Sequence, residues 1–176
     1  LGYRSRAVFK LIQIIEKIKQ IKNPGLILDI GAAPGGWSHF LANKYPSAEI
    51  FAIDILEMEK IKGVKFIKED LRNIDQIEQL SGLKNKFNLV ISDLAPNLTG
   101  ISITDNENIY ELNLITVETA VNYLNRSNGN LILKTFQNSL FKKIRSNMEK
   151  NFNIVQTFKP AASKSKSAEI YLHGER

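Results

Sequence analysis

At 176 residues the chain is about one domain long, and its 43% hydrophobic and 24% charged residues are the proportions of an ordinary globular protein. The absence of cysteine excludes a disulfide framework, a thiol nucleophile and a cysteine-based zinc site, and two histidines, His39 and His173, are too few for a histidine-rich centre, so no metal is expected. A formal charge of +6 suits a polyanionic partner such as nucleic acid, although a lysine-rich solvated surface gives the same sum.

From Arg6 to about Lys19, the apolar residues Ala7, Val8, Leu11, Ile12, Ile14, Ile15 and Ile18 recur at helical spacing, and Asn23, Pro24 and Gly25 then break the chain. Leu26–Ile30 is an apolar run of strand length that leads into the glycine-rich stretch 31–36. A helix is predicted over Trp37–Lys44 and a second strand over Glu49–Ile53. Further strands are predicted at Val64–Ile67, Asn88–Ser92, Asn130–Thr135, Asn153–Phe158 and Glu169–Leu172, with helices near Asp75–Leu80, Asn106–Leu124 and Ser139–Asn151. This alternation predicts one α/β domain over residues 1–176, built on a mainly parallel sheet covered on both faces. In such a sheet a ligand sits beyond the carboxyl ends of the strands, at the topological switch point.

The loop after the first strand carries Gly31, Gly35 and Gly36, a spacing that fits neither the G-x-G-x-x-G fingerprint nor the phosphate-binding P-loop. A tight strand–helix turn without a ligand would also use these glycines. Asp54 follows the second strand, where a carboxylate can accept hydrogen bonds from ribose hydroxyls, and the pairing of loop and acid favours a nucleoside. Asp70 follows the third strand and could accept from an adenine amino group, or equally cap the helix that follows.

Asp29-Ile-Gly-Ala-Ala-Pro-Gly-Gly-Trp37 resembles the cofactor motif of the FtsJ-type RNA ribose 2′-O-methyltransferases. The same family is resembled by Tyr3-Arg-Ser-Arg-Ala-Val-Phe-Lys-Leu11, Ser92-Asp-Leu-Ala-Pro-Asn97, Leu133-Lys-Thr-Phe-Gln137 and Lys159-Pro with Ser163 and Ser167-Ala-Glu-Ile-Tyr171, in the family's order along essentially the whole chain. The resemblance implies a Rossmann-like methyltransferase fold, a seven-stranded, mostly parallel sheet whose last strand, Glu169–Leu172, is antiparallel. It implies S-adenosyl-L-methionine as cofactor, held by Gly31, Ala32, Pro34, Gly35, Gly36 and Trp37. Asp54 would lie on the ribose, Asp70 near the adenine and Asp93 beside the methionine portion and the reacting methyl.

Four charged residues stand where charge is conspicuous: Lys10 in the apolar first helix, Asp93 and Lys134 at the ends of apolar strands, and Glu169 at the start of the terminal strand. Each alone could be a strand-end or helix-face charge reaching solvent. Strand carboxyl ends converge on the site, so Asp93 and Lys134 gain weight together. A ribose hydroxyl is a poor nucleophile, and an enzyme that methylates it must align oxygen, methyl carbon and sulfur and assist loss of the proton. The resemblance places the family's lysine–aspartate–lysine–glutamate tetrad on Lys10, Asp93, Lys134 and Glu169, with Lys134 the candidate base.

Arg4 and Arg6 precede the first helix, and Lys159, Lys164 and Lys166 precede Glu169; both basic groups flank the tetrad and are expected to hold RNA phosphates, a solvated charge run being the ordinary alternative. The stretch after Gly100 resembles the ribosomal members of the family more than the transfer-RNA members. The expected partner is therefore ribosomal RNA or the large ribosomal subunit, methylated on a uridine. The alternatives are a tRNA anticodon-loop ribose 2′-O-methyltransferase, a non-catalytic ribosome-assembly RNA-binding protein and a small-molecule methyltransferase. No apolar run is long enough to span a bilayer and no secretory leader opens the chain, so a cytoplasmic monomer is expected, or an organellar one if a targeting segment has been removed ahead of Leu1.

Overall fold

Side chains along the strands alternate between two apolar layers, and this period of two decides which residues meet. Leu28, Ile30, Phe51, Ile53, Val90, Leu131, Leu133 and Leu172 face one layer, while Ile27, Ile50, Leu89, Ile91, Ile132 and Tyr171 face the other. The computed structural model describes residues 2, 4–163 and 167–176. In chain order the elements are α1 (Val8–Lys17), β1 (Leu26–Ile30), α2 (Gly36–Lys44), β2 (Glu49–Asp54), β3 (Val64–Lys68), β4 (Leu89–Ser92), α3 (Ser102–Tyr123), β5 (Asn130–Phe136), α4 (Phe141–Glu149), β6 (Ile154–Phe158) and β7 (Glu169–Glu175). The strands form one sheet in the order β3-β2-β1-β4-β5-β7-β6, parallel throughout except for β7, which runs against both β5 and β6. Helices α1 and α2 cover one face, and α3 and α4 the other. Phe87 joins the sheet to α3 through edge-on contacts with Phe51 at 5.9 Å and Tyr123 at 6.1 Å.

Element bounds depart from the apolar periodicity at three places. The helical stretch expected near Asp75–Leu80 is two short 3-10 helices, Leu71–Gln76 and Glu78–Leu80, separated by extended Ile77. The buried residues there are Leu71, Ile74, Ile77 and Leu80, one every third position, which is the 3-10 repeat. Helix α3 begins at Ser102, four residues before the expected Asn106, because its first turn is held by polar contacts and exposes its one large apolar side chain, Ile103. Strand β7 runs past Leu172 to Glu175, as His173 and Gly174 pair with Ile132 and Leu131 of β5 despite ending the apolar run.

Candidate active site

Order β2-β1-β4 means that chain connections leave β1 and β4 in opposite directions, opening a crevice at their carboxyl ends. A cavity of about 500 Å³ lies there. Its floor and walls include Ile30, Gly31, Ile53 and Asp54 from β1 and β2 and their ends, Asp70 and Leu71 after β3, Asp93–Asn97 after β4, and Leu112 of α3. Apolar walls with a rim of Asp54, Glu69, Asp70, Asp93 and Glu111, opposed by Arg72, suit a ligand with a flat apolar ring, hydroxyl donors and positive charge.

The loop beneath is shaped by two glycines with positive φ. Gly31, at +72°, leaves room for Leu94, whose Cδ2 would lie 2.3 Å from an added Cβ; Gly35, at +98°, caps α2 with Met58 and Ile61 packed where a Cβ would stand. Asp54 accepts from Ala33 N through Oδ2 and from Leu56 N through Oδ1, both at 2.9 Å, so this carboxylate braces the loop while its oxygens line the cavity. Asp70 caps the turn that follows, its Oδ1 accepting from Arg72 N at 2.9 Å, and the residue also lines the cavity. Ala32, Pro34, Gly35, Gly36 and Trp37 do not line it. The Trp37 indole points to the other side of the loop, donating from Nε1 to Ala7 O at 2.9 Å and stacking at a tilt on Tyr171, 5.9 Å between centroids.

Parity assembles the tetrad. Lys134 shares the face of Ile132, Asp93 continues the row of Leu89 and Ile91, and Glu169 lies two residues before Tyr171, so all project on the α1–α2 side. Because β7 is antiparallel to β5, its first residues sit beside the last of β5, with Lys134 opposite Tyr171 and Phe136 opposite Glu169. Helix α1 adds Lys10. The result is a chain of contacts: Lys10 Nζ donates to Glu169 Oε1, Tyr171 OH lies 3.0 Å from Glu169 Oε1 and 2.9 Å from Asp93 Oδ1, and Lys134 Nζ lies 3.2 Å from that same Asp93 oxygen. Lys134 is buried at 8% exposure, and Asp93 belongs both to this chain and to the cavity wall.

The family model described as FtsJ-like methyltransferase matches residues 3–176. The chain belongs to that family. The FtsJ-like chain is 41% identical to the "Ribosomal RNA large subunit methyltransferase E" of Neisseria meningitidis serogroup C, over 99% of its own length and 85% of the relative's. Among solved structures it is similar to a putative ribosomal RNA methyltransferase from Plasmodium falciparum, 29% identical with a TM-score of 0.84 over 99% of this chain and 98% of that one. A Burkholderia thailandensis 1,6-didemethyltoxoflavin-N1-methyltransferase, solved with S-adenosylhomocysteine, shares the fold at 11% identity, with a TM-score of 0.62 over 99% of this chain and 79% of that one.

In this FtsJ-like site the two carboxylates are driven apart. Burial pushes Asp93 above the ordinary carboxylate range; Lys134 and Tyr171 offset part of that rise, and Glu169 adds to it. Burial also raises Glu169, but the hydrogen bond and charge of Lys10, with Lys134 and Tyr171, bring it below its usual value. Tyr171 is pushed far up by burial and by its two acidic neighbours, so it stays a phenol. The Tyr171 hydroxyl lies against both carboxylates and favours the ionised form of each. Glu169, beside Lys10, is thus the carboxyl held ionised, and Asp93, beside Lys134, the one readier to take up a proton.

Of the expected RNA-binding residues, Lys164 and Lys166 lie outside the described residues. Arg6 is exposed, and its side chain makes no hydrogen bond or ion pair with a described residue. Arg4 is largely spent on the protein itself: its guanidinium donates to Glu59 O at 2.9 Å, Lys60 O at 3.1 Å and Pro34 O at 3.5 Å, stapling the N-terminal segment across the cofactor loop. Lys159 Nζ likewise donates to the carbonyls of Ser167 and Glu169. Sequence reasoning gave no role to Tyr171 or Asp29. Tyr171 is signalled only by its position two residues after Glu169 on the same strand face. Asp29 is signalled by a carboxylate inside an apolar run; it is 1% exposed and accepts from Ser38 Oγ at 2.6 Å. Among the described residues no group of His, Asp or Glu is arranged to hold a metal, and no helix is long and apolar enough to cross a membrane.

Proposed function

We propose that the protein transfers the methyl group of S-adenosylmethionine to a ribose 2′-hydroxyl of large-subunit ribosomal RNA, on a uridine. The observation that carries this reading is Asp93, which lines the nucleoside-sized cavity and at the same time pairs with Lys134. The names of the relatives support the choice of ribosomal RNA, and the same fold holds S-adenosylhomocysteine in the Burkholderia enzyme.

The residues present fit the cofactor. Asp54 and Asp70 each keep acceptor capacity towards the cavity for ribose hydroxyls and an amino group, Ile53, Leu71 and Leu112 offer apolar walls for a base, and the surplus of carboxylates favours a cation. When bound, the cofactor supplies an activated methyl whose bond to sulfur breaks as its bond to oxygen forms. The chain's own part is to hold the acceptor hydroxyl against Lys134 Nζ, which takes the leaving proton while Asp93 balances its charge. Lys10 and Glu169 fix Tyr171, and Tyr171 fixes Asp93. Positioning and proton removal of this kind each contribute several orders of magnitude in rate.

Titration calorimetry with S-adenosylmethionine, followed by methyl transfer to a large-subunit RNA fragment and to the same fragment with a 2′-deoxy target nucleotide, tests the reading. Cofactor binding, product with the ribose substrate and none with the deoxy substrate are expected. Methylation of the deoxy RNA on its base, or tight NAD binding without affinity for S-adenosylmethionine, would overturn it.

A further inference from the structure

Between Phe87 and Asn125 there is no lysine, arginine or histidine, although the molecule as a whole carries +6. The first part of this cation-free stretch leaves β4 at Asp93, and Leu94, Ala95, Pro96 and Asn97 line the cavity. Immediately beyond, Leu98, Ile101 and Ile103 are 65%, 62% and 73% exposed. Three large aliphatic side chains within six residues, held in water beside a catalytic pair, form a patch of the kind that marks a contact surface.

The patch is built rather than loose. Asp105, near the start of α3, accepts from Thr99 N and Thr99 Oγ1, both at 2.7 Å, and from Gly100 N at 3.1 Å, while Thr99 Oγ1 accepts from Ile101 N at 3.1 Å. Gly100 turns the chain at a φ of +85°. These bonds fix residues 99–101 as a lip that carries its apolar side chains outward.

We propose that this lip packs against unpaired nucleobases of the substrate RNA next to the target nucleotide, a proposal that rests on the RNA reading above. An RNA strand that brings a ribose to Lys134 crosses the segment that begins at Asp93. With no cation in the stretch, the lip cannot neutralise phosphates; aliphatic side chains can instead cover the flat faces of bases splayed from a single-stranded loop. Phosphate contact falls to the opposite side of the site, where Arg6 precedes α1. The two sides divide the strand between them, bases on the α3 side and backbone on the α1 side.

The test is the combined variant Leu98→Ser, Ile101→Ser, Ile103→Ser, whose side chains are exposed and whose backbone clamp at Asp105 is retained. Its binding to a large-subunit RNA fragment containing the target loop is measured over a range of salt, with KM for that RNA, affinity for S-adenosylmethionine, and sedimentation. RNA binding weakened by roughly tenfold or more is expected, as lost apolar burial of this extent implies. The loss should appear in KM rather than kcat, with the slope of log K against log salt unchanged. The signal of 2-aminopurine placed beside the target should rise on binding the wild type and rise less with the variant. RNA affinity and KM equal to wild type would overturn the proposal, as would a shift from dimer to monomer at unchanged RNA affinity, which would make a second copy the occupant. A wild-type protein that neither binds nor methylates the RNA would overturn the functional reading and the lip together, whereas normal methylation by the variant defeats the lip alone.

Discussion

Asp29 lies inside β1 and faces α2, and its burial has a consequence for stability that opposes that of a second buried group. Burial raises its carboxyl from 3.8 to about 7; Ser38 offsets part of the rise, and the charges of Asp93 and Asp54 add to it. The folded state therefore keeps this proton over a range in which the unfolded chain has released it. Stability from this group is full below the unfolded value and falls as pH rises towards the folded value, by about 1.4 kcal/mol per pH unit and about 4 kcal/mol at most. His173 acts in the other direction. Burial lowers it from 6.5 to about 4, so its contribution is full above 6.5 and is lost as pH falls towards about 4 at the same slope. Between these values the two groups nearly cancel in the wild type. Asp29→Asn is isosteric, keeps an oxygen to accept from Ser38 Oγ and removes only the first slope. Urea unfolding over about pH 4 to 8 should show wild-type stability nearly level from these groups. The variant should lose about 1.4 kcal/mol per unit on acidification below about pH 6.5, and should exceed wild type at about pH 8. Parallel pH profiles for the two proteins, or a variant less stable than wild type at the alkaline end, would refute the reasoning.

Lys134→Ala should lower methyl transfer by roughly 10²–10⁴ with cofactor affinity nearly intact, and wild-type turnover by a folded variant would remove Lys134 as the base. Tyr171→Phe keeps the ring packed against Trp37 but removes the donor to two carboxylates, each of which retains a lysine; thermal or urea unfolding should show a loss of about 1.5–3 kcal/mol. Without that donor the Asp93 carboxyl rises further, so the acidic limb of the pH–rate profile should move to higher pH, and an unmoved limb would separate Tyr171 from Asp93. Arg6→Ala should make the salt dependence of RNA binding shallower by about 0.7 in log–log slope if it neutralises one single-strand phosphate. Arg4→Ala should leave that slope unchanged and lower the melting temperature instead, since its donors go to Glu59, Lys60 and Pro34 carbonyls; a slope change with Arg4→Ala would return it to the RNA path.

Much of the fold was legible because its strands are apolar runs punctuated by glycine, proline and asparagine, and because β7, the one strand the periodicity could not orient, came with the family resemblance. The convergence of Lys10, Asp93, Lys134 and Glu169 was foreshadowed by the same two routes, charges at strand ends and motif position, and strand parity explains why the last three meet. What could not be read is direction at a finer scale. Trp37 lies in the cofactor motif, yet its indole reaches back to Ala7, at the start of the helix that carries Lys10. Arg4 and Arg6 look alike in sequence, but only the fold brings the 59–60 carbonyls under one of them. Tyr171 reads as a core aromatic until the antiparallel register of β5 and β7 sets it opposite Lys134. Residues 71–80 carry a spacing of three that a helix of 3.6 residues per turn only loosely matches, and the chain follows the tighter turn.

The central claim, ribose methylation of large-subunit RNA through Lys134, is tested most directly by mapping 2′-O-methylated nucleotides in ribosomal and transfer RNA. The comparison is between cells that contain the protein, cells that lack it and cells that carry only Lys134→Ala at equal abundance. A large-subunit uridine methylated with the wild-type protein and unmethylated in the other two is the predicted result. A modification that persists with Lys134→Ala, or one lost only from transfer-RNA anticodon loops, would contradict it.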